Sequence, residues 1–397
     1  MPRFEPFRAL RYASESLQSV TAPPYDVLSE AEVQALEAQS PVNIVRVDVP
    51  RGSEDRYERA AHELGGWRAD GTLVADARPS FTIYRISFTD ARGAARQIAG
   101  VLGGLQVVDE GAGGVLPHER TTPKASTDRL DLTRATRANL SPVWGLSLAT
   151  GLTDALRVPG ELVGRVMDGG VEHTVERVDD PVRLAEIAAV VGRDDVLIAD
   201  GHHRYAVSRT YRDEVRAATG RSDGPAELTL AFVNELVSDQ LSVAAIHRLY
   251  SAVSVEALVT ALSARFELSE VGPPGTGTLA EMERAGFLVL TSAMRTWRLT
   301  PRPGAFADVR ALDGLWLETA LADLKPAVAY QHGLTEVLAQ VAAGTAVAGV
   351  LIRPVSVAEI ERTAREGLLM PPKSTFFTPK LKTGFVIRPL DDEGGAS

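Results

Sequence analysis

Residues 198–208 read IADGHHRYAVS and crowd Asp200, Gly201, His202, His203 and Arg204 into a single turn. An apolar run leads into this turn and a helical pattern leads out of it. A helix N-terminus presents unpaired N–H groups and partial positive charge, and therefore attracts anions. Gly201 permits a positive φ and close backbone approach to a ligand. Arg204 supplies a planar donor fork that suits phosphate or carboxylate. His202 and His203 add donors whose charge responds near neutral pH. Asp200 would repel a phosphate directly. Its useful roles are to orient a histidine, to hold a cation such as Mg²⁺ that bridges phosphates, or to receive a substrate proton. Two alternatives stand beside this phosphate grip: a structural metal site, and a polar turn in which Asp200 caps the helix. Adjacent histidines point in different directions and rarely chelate one ion.

Two further segments carry convergent polar groups. The stretch from His118 to Asn139 holds Arg120, Lys124, Arg129, Arg134 and Arg137 against Glu119, Asp128 and Asp131. It reads as a loop that enters a helix near Asp128, and loops of this kind commonly carry function. Glu119, beside His118, is a candidate general base on a substrate hydroxyl if the fold brings it near Asp200. The segment MPPKSTFFTPKLKTG (370–384) holds Lys373, Lys380 and Lys382 with no acid, and Ser374 and Thr375 add hydroxyls. Its prolines forbid a regular helix, and a stiff lysine-bearing loop suits an anion. Tyr25 and Asp26 in APPYD (22–26), and His247 in AIHRLY, are further pocket candidates. For each cluster the plainer reading is a solvated or self-packed loop.

The elements that must position these groups follow from periodicity. Apolar or alternating runs predict strands at 42–49, 80–88, 195–199, 227–233, 287–291 and 384–388, with helical patterns between them. A helix is expected from Tyr205 to Arg216. Ser29 with Glu32, and Ser356 with Glu359, have capping-box spacing. Asp180 before Pro181 reads as an N-cap followed by proline at the first helical position. Asp90-Ala91-Arg92-Gly93 reads as a hairpin turn. The expected class is α/β or α+β, with mixed sheets and flanking helices. Four stretches are expected: an N-terminal α/β part at 1–110, a central part with the His-His-Arg motif at 111–270, a C-terminal α/β part with the lysine-rich loop at 271–390, and a disordered tail at 391–397.

Composition narrows the function classes. The chain has 397 residues, no cysteine and a net charge of -10, so zinc-thiolate sites and thiol nucleophiles are excluded. No basic domain is present to neutralise nucleic-acid phosphates. The longest apolar run, VAAGTAVAGVLI (341–352), is too short to span a bilayer. MPRFEPFRAL lacks the apolar core of a signal peptide. A soluble, cytoplasmic protein without nucleic-acid or membrane partners is expected; the sequence does not specify an oligomeric state. GPPGTGT (272–278) imitates a phosphate-binding loop but has Thr278 where the lysine is required. No zinc, haem, flavin or NAD signature occurs, and no Gly-x-Ser-x-Gly elbow.

Two resemblances refine this reading. The order of strand, Asp-Gly-His-His-Arg and helix resembles the phosphate-binding signature of the ParB/sulfiredoxin superfamily, which includes free-serine kinases. Nearly the whole chain resembles the bacterial and archaeal family known as domain of unknown function 1015. The resemblance rests on TAPPYDVLS (21–29), VLPHERTTPKASTDRL (115–130), RANLSPVWGL (137–146), IADGHHRY (198–205) and MPPKSTFFTPKLKTGFVI (370–387), in that order. The first resemblance implies a phosphotransferase that acts on a small hydroxyl metabolite such as free serine, using ATP or ADP with Mg²⁺. Gly201, His202, His203, Arg204, Lys373, Ser374, Thr375 and Lys380 would hold phosphates. Asp200 would reach the metal, and Glu119 or Asp200 would serve as base. A non-enzymatic nucleotide or phosphometabolite-binding regulator, and a phosphatase, are the alternatives.

Overall fold

The computed structural model describes residues 1–13, 16–90, 93–117, 126–371 and 373–391. The chain divides into two compact units, one formed by Met1–Leu241 with Pro379–Ser397 and the other by Ser242–Thr378. This division differs from borders near 110 and 270, because a single sheet draws strands from both sides of residue 110.

That sheet contains β1 (Phe4–Glu5), β2 (Phe81–Thr89), β3 (Ala95–Gln106), β4 (Val115–Pro117) and β5 (Val143–Ser147). It is completed by β6 (Glu161–Asp168), β7 (Val171–Val178), β8 (Val196–Asp200) and β9 (Leu228–Glu235). The order is β4-β8-β5-β9-β3-β2-β7-β6, with β1 on β3. β4 runs parallel to β8, and β5 parallel to β9, while the other neighbours are antiparallel. The mixed α/β class expected from the sequence is therefore observed.

Alternation along the strands gives the sheet two apolar faces. Phe81, Ile83, Val101, Val143, Val196, Ile198 and Val233 pack on one side with Ile187 and Val190. On the other side, Tyr84 meets the edges of Phe232 and Phe385, with ring centroids 5.4 and 5.1 Å apart. Five helices of this unit matter below: α1 (Glu30–Gln39), α2 (Val45–Asp48), α3 (Ser126–Thr136), α4 (Pro181–Val191) and α5 (His202–Thr219). Ser29 and Glu32 form the expected capping box at α1, and the Asp180 side chain accepts from Arg183 N–H at α4. Thr89 pairs with Ala95 across the expected hairpin.

Two strand predictions fail. Residues 42–49 form a turn and the short helix α2 instead. The buried Asn43 side chain bonds Ser19 O and Thr21 O and accepts from Val45 N–H. These bonds give the backbone a local alternative to a strand ladder. Ile44, Val45 and Val47 are wholly buried all the same, so the apolar run marks burial rather than extension. At 384–388 only Arg388 enters a strand, the two-residue pair Arg388–Pro389 against Ala138–Asn139. Ile387 makes a single bridge to Leu10.

The second unit is built on a six-stranded antiparallel sheet. Its strands are β10 (Ile246–Ser251), β11 (Phe266–Val271), β12 (Leu288–Ser292), β13 (Thr296–Pro301), β14 (Ala327–His332) and β15 (Ala348–Leu351). The order is β11-β13-β12-β15-β10-β14. Leu288, Leu290 and Val350 belong to one apolar cluster, and Val289 and Leu351 to another. This period of two buries both faces. Helix α6 (Asp313–Ala320) lies on the first of them.

Candidate functional site

The DGHHR turn stands where β8 passes into α5. β8 is buried through Ala199 and ends on Asp200. Between Ile198 and Asp200 its register against β5 shifts, so that Asp200 pairs with Trp144. A bulge of this kind re-aims a side chain, here at the last strand residue before the helix. Gly201 follows with φ +86°. A Cβ at Gly201 would lie 2.9 Å from Arg204 Nε and 3.0 Å from its Cζ. Only glycine both adopts this φ and leaves the guanidinium its place against the backbone.

Helix α5 runs for 18 residues and has neither a side-chain cap nor an acid in its first turn. Tyr205 locks that turn onto β3: its hydroxyl donates to Gln106 O and accepts from Val108 N–H, each at 2.9 Å. The N-terminal N–H groups are thus held in a fixed position at a buried strand end.

Charge gathers on the turn. Arg204 Nη2 donates to Asp200 Oδ2 at 2.7 Å, and Lys380 Nζ donates to Asp200 Oδ1 at 2.9 Å. Burial disfavours the charged carboxylate, yet Lys380, Arg204 and His202 outweigh it and hold Asp200 well below the usual carboxylate range. Arg204 Nη1 also donates to Pro142 O. Arg204 Nε is buried and has no hydrogen-bond partner among the described residues.

A second ion pair lies alongside. Arg129, on α3, donates from Nη1 to the Asp48 backbone carbonyl at 2.5 Å, and its guanidinium stacks over the Tyr25 ring at 4.2 Å. Its other edge donates to the Asp128 carboxylate at 2.8–2.9 Å. Asp48 is 3% exposed. Burial pushes its carboxyl upward against the pull of Arg129 and Arg204. Asp26 is near enough for its charge to act on both Arg204 and Asp48. Between α3, α5 and residues 138–141 lies a cavity of about 40 Å³, lined in part by Asp48, Arg129, Arg204 and Ser208.

The first unit therefore brings together Tyr25, Asp26, Arg129, Asp200, Gly201, His202, Arg204 and Lys380 around one strand end. His203 opens the same helix. Lys373, Ser374, Thr375 and His247 belong to the second unit. His118, Glu119, Arg120 and Lys124 lie outside the described residues. Asp48 lies in an apolar run that reads as a strand; the acid within VNIVRVDV is the signal the sequence offers. Among the described residues, no group of three or more His, Asp or Glu is placed to hold a metal ion. No helix there is long and apolar enough to cross a membrane.

The family described as "Protein of unknown function (DUF1015)" matches residues 4–315. The chain belongs to this family. That span takes in β1 to β9, the DGHHR turn and the first part of the second unit. No curated protein matches this DUF1015 chain. Among solved structures it is similar to SbnI with a C-terminal truncation from Staphylococcus aureus, at 12% identity and TM-score 0.41, over 74% of this chain and 90% of that one. A free serine kinase mutant in complex with AMP is similar at 13% identity and TM-score 0.39, over 68% and 89% of the two chains. A conserved hypothetical protein from Pyrococcus furiosus is similar at 13% identity and TM-score 0.39, over 69% and 92%.

Proposed function

We propose that the DGHHR turn of the first unit grips the phosphates of a nucleotide, and that the protein transfers a phosphoryl group to a small hydroxyl metabolite such as free serine. The observation that carries this reading is the uncapped start of α5 at a glycine with φ +86°, with Arg204 and Lys380 drawn together on Asp200. Helix N–H groups, a guanidinium and an ammonium are the donors that phosphoryl transfer needs for charge stabilisation.

ATP or ADP fits this donor set at its phosphates. The buried Arg204 Nε supports an oxyanion ligand. The 40 Å³ cavity beside it is about the size of one water, so the phosphate and the nucleoside would lie outside it. Mg²⁺ is usually held by one or two carboxylates together with substrate phosphates, and Asp200 is the carboxylate at this turn that would take it. When bound, the metal would neutralise phosphate charge.

The residues divide the remaining work. Arg204 and Lys380 would bind and orient phosphate oxygens, while His202 and His203 add donors at the helix start. Lys373, Ser374 and Thr375 are proposed as further phosphate ligands. A general base works best with a pKa near the operating pH. Asp200 is held too low for that, so the base role falls to Glu119. The described residues on either side of that segment support it: Pro117 pairs with Ile198 of β8, and Arg129 bonds Asp48.

The test is a thermal-shift panel of ATP, ADP, CTP, pyrophosphate, serine and phosphoserine, with and without Mg²⁺, followed by product analysis. A ligand at about 100 times its Kd stabilises the folded state by about 2.7 kcal/mol. Stabilisation by nucleotide in wild type, weakened in Lys380→Gln, followed by phosphoserine formation that Glu119→Gln abolishes, is the expected result. Nucleotide stabilisation without turnover would favour the regulator. Stabilisation by phosphoserine alone, with release of phosphate, would favour the phosphatase.

A further inference from the structure

The second unit contains a cavity of about 210 Å³ whose walls follow from strand register and helix spacing. On β10, Arg248 and Tyr250 are two residues apart and face the same way. They pair across the strands with Tyr330 and Val328 of β14, giving a four-residue floor. Gly314, Leu317 and Glu318 of α6, followed by Leu321, recur at helical spacing and form the opposite wall.

Arg248 is built into this cavity, whereas Lys325 and Glu318 line it from exposed positions. Arg248 is 3% exposed. Its guanidinium lies over the Tyr330 ring at 4.6 Å, and its Nη1 donates to Ile246 O and, at 3.4 Å, to Lys373 O. A Cβ on Gly314 would stand 2.9 Å from Arg248 Nη2. The helix therefore carries glycine where the guanidinium crosses it. Lys325, also on the wall, has φ +47° immediately before a proline. That conformation is costly for a residue with a Cβ and persists only where the surroundings impose it. Arg248 and Lys325 together face one acid, Glu318, so the cavity favours an anion. Tyr250, Tyr330, Leu317, Leu321 and Val328 line the remainder with apolar surface. A cavity of 150 Å³ lined by apolar groups accommodates benzene, so about 210 Å³ accommodates a ring or branched chain with one polar head.

We propose that this cavity binds a small carboxylic acid with an aromatic or branched apolar body, its carboxylate on Arg248 and Lys325. The proposal does not rest on the phosphate grip, and each can fail without the other. The test uses the full chain and ligand-observed NMR titration with phenylacetate, 3-methylbutanoate and phenylacetamide. The amide keeps the shape and removes the charge, so the comparison needs no variant. A charge-assisted pair should make phenylacetate bind tighter than its amide by about tenfold or more. Val328→Trp, which fills the cavity from an exposed strand position, should abolish binding, and Lys325→Gln should weaken it. Lys380→Gln in the first unit should leave it unchanged. Failure of both acids to bind, equal binding of acid and amide, or full binding by Val328→Trp would overturn the proposal.

Discussion

Two arginines in this molecule each lie against a glycine, and their surroundings assign them different work. Arg204 sits against Gly201, 2.9 Å from where a Cβ would stand, and its charge meets the Asp200 carboxylate at 2.7 Å. Arg248 approaches Gly314 equally closely, but backbone carbonyls and the Tyr330 ring brace it. The first arrangement fixes a charge network at a strand end, where backbone donors complete an anion site. The second holds a guanidinium in the wall of an apolar cavity. An ion pair gives geometry and demands both partners; an aromatic brace gives position and leaves electrostatic selection to the ligand.

Removal of the carboxylate from the first arrangement should have the largest effect. Asp200→Ala leaves Arg204 and Lys380, both partly buried, without their shared carboxylate, and the cost should fall below that of a fully buried pair, about 3–5 kcal/mol. Urea unfolding followed by tryptophan fluorescence measures it, and Lys380→Gln in the same background should recover part of the loss. The pH dependence has the same origin. The folded Asp200 carboxyl lies well below the unfolded value of about 3.9. Its contribution is therefore complete above that value and is lost as pH falls through the folded pKa. Asp200→Asn should flatten this acid limb.

Each unit also holds a buried neutral histidine. His173 bonds the Tyr84 hydroxyl at 2.6 Å, and burial, with Lys382 nearby, lowers its pKa to about 4. His247 accepts from Ile352 N–H at 3.2 Å, and burial, with Arg248 nearby, lowers its pKa to about 4 as well. Because the unfolded state binds the proton first, each contribution is complete above pH 6.5 and is lost as pH falls toward 4. At 1.36 kcal/mol per pKa unit, each is worth up to about 3 kcal/mol. His173→Asn and His247→Asn should each remove one share of the slope between those pH values, separately and additively.

The two glycines sharpen the contrast further. Gly201→Ala forces a Cβ into the left-handed region, at about 1–2 kcal/mol, and displaces Arg204. Gly314→Ala presses on the braced guanidinium of Arg248 but keeps an ordinary helical backbone, where alanine is the better helix former by about 1 kcal/mol. Its net effect on stability should be the smallest of the series, while phenylacetate binding falls. Equal losses for the two variants in urea unfolding would contradict the comparison.

The grip was legible in the sequence because its parts are local. A buried strand, one glycine and a helix start lie within about ten residues, and their chemistry dictates their arrangement. Lys380 was read as a phosphate ligand from a lysine-rich loop, but its contact with Asp200 spans 180 residues, a separation that composition does not encode. Asp48 was hidden because an apolar run reports burial whichever backbone it adopts, and the Asn43 side chain decides the turn. The unit border escaped for a related reason. The chain leaves the first unit at Leu241 and returns at Pro379, so the lysine-rich segment is split between units without any compositional break. The Arg248 cavity depends on pairing between β10 and β14, whose partners are about 80 residues apart.

The central claim is that the start of α5 is an anion site completed by Arg204 and Lys380. Isothermal titration of pyrophosphate into wild type and Lys380→Gln tests it most directly. Micromolar binding in wild type, about tenfold weaker in the variant and steeply reduced by salt, is the predicted result. Absence of binding in wild type, or equal affinity in both proteins, would contradict it.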